Sequence, residues 1–238
     1  MGGGRSIDIC LLGATGFVGR LVAGQLYRRC SRLGFNLALA GRNRSRLELL
    51  RDELSVGKVQ QAAYAAGSPT LRIVDTGDEQ ALASLAAESK VLCSTVGPYA
   101  RHGGPVVRAC VDHGTDYLDL AGEVQWMRRV IDSLHDRARY SGTRVVHACG
   151  FDSIPSDLGV LLSQEAIVQR HGAPASSLRL VVEERQGGVS GGTLASAMNL
   201  FDESRDPTVR ALLADLHSLE PRWQPVTAPV PKRIPGVR

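Results

Sequence analysis

Gly13, Gly16 and Gly19 have the type and spacing to hold a phosphate. Gly13 allows a tight turn, and Gly16 lets the backbone approach a pyrophosphate with no Cβ in the way. Gly19 lets a helix pack against the preceding strand. Thr15, Phe17 and Val18 lie among the glycines and are placed with them against the ligand. A helix starting here would offer unpaired N–H groups and a positive dipole end to an anion.

The next candidates stand where later strands end. Ala40-Gly41-Arg42-Asn43-Arg44-Ser45-Arg46 carries no acid before Glu48. An acid at this place suits ribose hydroxyls, whereas a basic residue suits a 2′-phosphate. Arg42 has the planar fork to pair with a phosphate and stack on adenine. Ser45 or Arg46 could add contacts. The pattern favours NADP(H) over NAD(H).

Asp75 is either an adenine contact or a turn residue. Thr95, Val96, Gly97 and Pro98 form a turn where such folds bind ligands, outside the carboxyl end of a strand. Tyr99 and His102 could each donate a proton; the plainer readings are a pocket-wall aromatic and a surface histidine. Asp119, Glu123, Asp152 and Ser153 could reach the same crevice, or serve as helix caps and turn stabilisers.

Some chemistries are disfavoured. No tyrosine is followed four residues later by lysine, so a Tyr-Lys dyad is missing. The histidines lack tight metal-ligand spacing, and there is no G-x-S-x-G elbow. No metal site is expected.

These residues need a scaffold. Strands are expected at Ile7–Leu12, Asn36–Ala40, Leu71–Val74, Lys90–Val96, Asp116–Leu120 and Thr143–Cys149. Helices are expected between them at Phe17–Arg29, Ser45–Leu54, Glu79–Glu88, Pro105–His113 and Val124–Tyr140. That alternation predicts an α/β fold, a Rossmann-type doubly wound parallel sheet. Ser45 and Glu48 have capping-box spacing, and Gly114 and Gly142 fall where C-caps belong. Residues 56–69 read as a loop. After Cys149 the pattern changes to a helix at Leu158–Gln169, a strand at Leu178–Glu184, a glycine-dense turn from Gly187, and helices at Leu194–Phe201 and Pro207–Leu219. The sequence from Pro221 to Arg238 is proline-rich and should be extended.

The bulk numbers agree with a soluble globular chain. It has 238 residues, 43% hydrophobic and 22% charged, with a net charge of +4. That charge suits a small polyanionic ligand and does not call for nucleic acid. Lysines occur only at positions 58, 90 and 232, so a catalytic lysine has few places to be. Five cysteines without C-x-x-C spacing read as buried thiols in a reducing compartment. No apolar stretch reaches the ~18 residues of a transmembrane helix, and no secretory signal appears. Met1-Gly2 with Ser6 fits a myristoylation pattern, but one too common to place the chain on a membrane. The expected location is the cytoplasm, at most peripheral to a membrane.

Together the motifs resemble the saccharopine-dehydrogenase-like oxidoreductases. The matching stretches are Gly13–Gly19, Ala40-Gly41-Arg42, Val96-Gly97-Pro98-Tyr99, Gly122-Glu123, Cys149–Gly159 and Gly191-Gly192-Thr193. Phe151-Asp152-Ser153-Ile154-Pro155 is the most specific of them. Within the family the chain is most similar to bacterial trans-acting enoyl reductases. The resemblance implies NADP(H) as cofactor and an enoyl thioester, carried on a polyketide synthase in complex lipid synthesis, as substrate. It implies hydride delivery to the β-carbon and protonation at the α-carbon, with Tyr99 or water as donor.

The resemblance runs over roughly residues 7–200, and family members are much longer. Residues 1–153 are expected to form the NADP-binding domain, and 154–220 a partial α+β substrate or dimerisation domain. Residues 221–238 form the proline-rich tail. A shortened second domain would leave an apolar face that a homodimer could cover. Two alternatives stay open: a nucleotide-binding regulator or degenerate fragment without turnover, and a saccharopine-dehydrogenase-like amino-acid oxidoreductase.

Overall fold

The computed structural model of the chain describes residues 4–56, 67–183, 191–215 and 217–220. The proline-rich segment, most of the 56–69 loop and the glycine turn at 187–190 lie outside the described residues.

Six strands form one parallel sheet in the order β3-β2-β1-β4-β5-β6. They are β1 (Ile7–Leu12), β2 (Leu37–Gly41), β3 (Thr70–Ile73), β4 (Ser89–Ser94), β5 (Asp116–Asp119) and β6 (Val145–Val146). Five helices join them: α1 (Phe17–Leu33), α2 (Arg44–Val56), α3 (Glu79–Glu88), α4 (Tyr99–His113) and α5 (Val124–Ser141). The strand order reverses between β1 and β4, and the crevice there is where doubly wound sheets bind ligands. β1 lies in the middle, with Leu12 in register with Ala40 on one side and Ser94 on the other.

Alternation along β1 builds two cores. Cys10 and Leu12 point into a cluster with Leu82 and Leu85 of α3, Val106 and Val107 of α4, and Trp126 of α5. Leu11 points the other way, with Ala23 of α1, Leu39 of β2 and Leu47 of α2. Both faces of the sheet are therefore covered, which explains why the central β1 and β2 are apolar almost throughout.

Three local expectations are corrected. Helix α2 is capped by Asn43, whose Oδ1 accepts the Arg46 N–H at 2.9 Å. Ser45 is therefore inside the first turn and is not the cap. Helix α4 begins six residues before Pro105, because a carboxylate from another element caps it. β6 is two residues long, and the rest of 143–149 has no regular structure. Gly114 and Gly142 do end α4 and α5 in the left-handed conformation.

Beyond residue 150 come α6 (Ile154–His171), α7 (Gly191–Glu203) and α8 (Pro207–Ala214). The strand expected at Leu178–Glu184 does not form over 178–183. Arg128 ties this region to α5. Its side chain is 5% exposed, and it donates to the carbonyls of Ser218 at 3.1 Å and Glu220 at 2.6 Å. Among the described residues, no helix is long and apolar enough to cross a membrane.

Candidate functional site

The turn after β1 is built around the Gly13 carbonyl, which accepts the Gly16 N–H at 3.0 Å. Gly13 has φ +84°, and a Cβ there would lie 2.8 Å from Thr95 Oγ1 and Val96 Cγ2. A Cβ on Gly19 would lie 2.1 Å from the Gly13 carbonyl oxygen. A Cβ on Gly16 would meet only that oxygen, at 3.3 Å, and would otherwise project into the open groove. Thr95 braces the turn from β4, donating from Oγ1 to the carbonyls of Leu12 and Gly13.

The groove above this turn has a volume of about 540 Å³. It runs from Thr15, Phe17 and Val18 to Arg42 and Arg46 at one end, and to Val96 and Gly97 at the other. Ser45 and Pro98 are not among the lining residues; Ser45 points to solvent, and Pro98 turns the chain into α4. Asp75 lines the groove while its Oδ1 accepts the Gly77 N–H at 2.9 Å, so it also stabilises its turn. Arg42 Nε lies 3.9 Å from Asp75 Oδ2, and its side chain is 79% exposed.

Asn43 and Thr76 also line the groove and were not singled out in the sequence. Their signal was positional, since each follows a strand end. His102 lines it as well, with Nδ1 3.4 Å from Thr76 Oγ1.

Two helices start at this site, and they differ. The N-cap of α1 is Gly16, with no side-chain cap and no acid in the first turn. Its N–H groups and dipole are available to an anion. The start of α4 is already taken. Glu123, 2% exposed, accepts the N–H groups of Tyr99 at 2.7 Å and Ala100 at 2.9 Å. Of the two helix starts, that of α1 is the one whose N–H groups no side chain engages.

Tyr99 is placed in the core, 7% exposed and stacked on Trp126 with ring centroids 5.5 Å apart. Its hydroxyl donates to the Ser94 carbonyl at 3.1 Å and accepts the Leu120 N–H at 3.3 Å. Burial raises its pKa well above the ordinary phenol value. A phenol so engaged is a poor acid, and the geometry gives Tyr99 the work of pinning β4 to the strand-five turn. Asp119 is fully buried, accepting from Ala121 N at 2.9 Å and Ala148 N at 3.1 Å and lying 2.6 Å from His147 Nδ1. It stabilises the turn and does not line the groove. Ser153 sits at the start of α6 with no side-chain cap bond. Asp152 is exposed and, with one edge of Tyr99, lines a second, smaller cavity beside the groove.

Residues 9–146 match the family described as the saccharopine dehydrogenase NADP-binding domain. The chain belongs to that family. Among curated relatives, a Mycobacterium tuberculosis (strain ATCC 25618 / H37Rv) protein provisionally named a trans-acting enoyl reductase is 40% identical over 218 residues. That match covers 91% of this chain and 50% of the relative. A trans-acting enoyl reductase of Mycobacterium bovis (strain BCG / Pasteur 1173P2) is 39% identical over 217 residues, 90% of this chain and 50% of the relative. The chain spans about half the length of the curated relatives it matches. Apo saccharopine dehydrogenase (L-Glu forming) of Saccharomyces cerevisiae superposes with a TM-score of 0.54 at 21% identity. It covers 70% of this chain and 32% of the yeast protein, and shares the fold.

Proposed function

We propose that this chain binds NADP(H) in the groove over β1 and β4 and is the cofactor-binding half of an enoyl reductase that acts in trans. The observation that carries the reading is the pairing of a bare α1 N-terminus with Arg42 and Arg46 at the other end of one groove. The first suits a pyrophosphate and the second a 2′-phosphate. Gly13, Thr15, Gly16, Phe17, Val18 and Gly19 would hold the pyrophosphate side. Arg42, Arg46 and Asp75 would face the adenosine side, and Thr95, Val96 and Gly97 the nicotinamide side. The names of the mycobacterial relatives support an enoyl thioester as substrate. A polyketide synthase is the proposed carrier.

The chemistry NADPH would supply is a hydride to the β-carbon, the double bond being reduced and NADPH oxidised. The chain's residues bind and orient the reactants. Water supplies the α-carbon proton, since the Tyr99 proton is committed to the Ser94 carbonyl.

A second reading, nucleotide binding without turnover, is favoured by α6, which has no buried residue. The layer expected to cover the substrate is thus open on that side. In the first reading, a second copy of the chain covers this apolar face.

NADPH absorbance with enoyl thioesters present separates the two. Thioester-dependent loss of NADPH supports the reductase. Tight NADPH binding with no oxidation by any enoyl thioester leaves only the binding module.

A further inference from the structure

The second cavity, about 290 Å³, adjoins the groove and shares with it Val18, Thr95, Gly97 and Gly192. The two cavities therefore meet along these residues. Its largely apolar wall comes from Val18, Tyr99, Leu120, Ala197 and Leu200. Its charged groups, among the described residues, are two carboxylates, Glu123 and Asp152, with no Arg, Lys or His. An anionic group entering here would lose water, gain no cation and face two like charges, which is costly. An uncharged acyl group would meet carbon.

The outer wall is α7, and it is held by a polar stripe. Ser196 Oγ donates to Glu123 Oε1 at 2.7 Å, Arg101 Nε donates to Asn199 Oδ1 at 3.3 Å, and Arg129 donates to Glu203 Oε2 at 3.1 Å. The spacing of 196, 199 and 203 puts the three on one helix face. Leu194, Met198 and Phe201 are exposed, and α7 has no buried residue. Of the three ties, the one at Ser196 lies in the cavity itself. It joins α7 to the carboxylate that also caps α4.

We infer that this cavity is the acyl pocket, that it accepts uncharged acyl groups and rejects carboxylate-bearing ones, and that Ser196 is the positioning residue that seats α7 against it. The inference rests on the reading of the groove as an NADP(H) site. It also separates an enoyl thioester from a carboxylate-rich amino-acid substrate.

The test is calorimetric titration of the chain saturated with 1,4,5,6-tetrahydro-NADP, whose nicotinamide ring is uncharged and which cannot turn the ligand over. The probes are the N-acetylcysteamine thioesters of crotonate and glutaconate, which differ by one terminal carboxylate. The crotonyl thioester is expected to bind at least about tenfold more tightly, a difference of about 1.4 kcal/mol. Asp152→Asn should raise glutaconyl affinity and so narrow the crotonyl-to-glutaconyl ratio. Ser196→Ala should weaken crotonyl binding several-fold, and Ser196→Thr, which keeps the hydroxyl, should restore it. Equal binding of the two thioesters, binding of neither to the cofactor-loaded chain, or no effect of Ser196→Ala overturns the inference. The preceding titration with the tetrahydro cofactor keeps the two levels apart: failure to bind it removes the cofactor reading itself.

Discussion

Gly16 and Gly19 stand three residues apart in one turn, yet alanine at each should fail in opposite ways. Gly16 has φ −71° and ψ 166°, a conformation alanine adopts freely. Its added Cβ meets one atom within 4 Å and otherwise enters the groove. The cost to the fold is at most about 1 kcal/mol, from the poorer N-cap, or about 2–4 °C in a chain of this size. The cost to the cofactor is larger. A methyl group that holds a phosphate off the α1 amides removes one charge-assisted hydrogen bond, worth about 1.5–3 kcal/mol, so NADPH affinity falls about 10- to 100-fold.

Gly19 is the reverse case. Its Cβ would sit 2.1 Å from a backbone oxygen and 2.9 Å from two backbone carbons, none of which can swing aside. Overpacking of about 3 kcal/mol, less about 1 kcal/mol gained in helix propensity, leaves a net loss of about 2 kcal/mol. The ligand-free melting temperature should drop by about 4–8 °C. The assay is thermal melting without ligand beside calorimetric NADPH titration. If Gly16→Ala binds NADPH like wild type, or melts as low as Gly19→Ala, the assignment of the turn as a phosphate cradle is refuted.

Other outcomes follow from single contacts. Arg42→Ala should weaken NADPH about tenfold and NADH far less, because the lost partner is a phosphate. Asp75→Asn keeps the Gly77 turn bond but removes the carboxylate beside Arg42, so it should strengthen NADPH; an unchanged NADPH-to-NADH ratio in either variant counts against the 2′-phosphate site. Asp116 is held below the usual carboxylate pKa, chiefly by the Arg144 hydrogen bond. That stability is present above the unfolded pKa of about 3.9 and is lost as pH falls through the folded value. Asp116→Asn should therefore cost about 0.5–1 kcal/mol at neutral pH, discounted for the exposed arginine, and nothing in strong acid; a loss independent of pH would contradict it. Sedimentation velocity should show a concentration-dependent dimer that Leu158→Glu or Leu162→Glu on α6 dissociates, and a monomer at every concentration would remove the second copy from the account.

The nucleotide-binding half was legible because its signals are local. Apolar runs marked the strands, a glycine turn marked the first crossover, and Gly114 and Gly142 marked two helix ends. What stayed hidden depends on contacts distant in sequence. Pro105 looked like a helix start, and only the Glu123 carboxylate, 24 positions from Tyr99, lets α4 begin earlier. Tyr99 looked like an acid, but its hydroxyl is spent on two backbone groups that no spacing rule connects to it. Ser196 carried no motif beyond a nearby glycine pair, and its meaning comes from the buried carboxylate it meets. The 178–183 segment alternates like a strand but has no partner strand among the described residues, and a single strand does not form alone.

The claim that everything else depends on is that the groove takes NADP(H) and reads its 2′-phosphate. Calorimetric titration of the unmodified chain with NADPH and then NADH tests it directly. The account predicts saturable binding of one NADPH per chain, at least about tenfold tighter than NADH. Equal affinity for the two would contradict the role of Arg42, and no saturable binding of either would contradict the site.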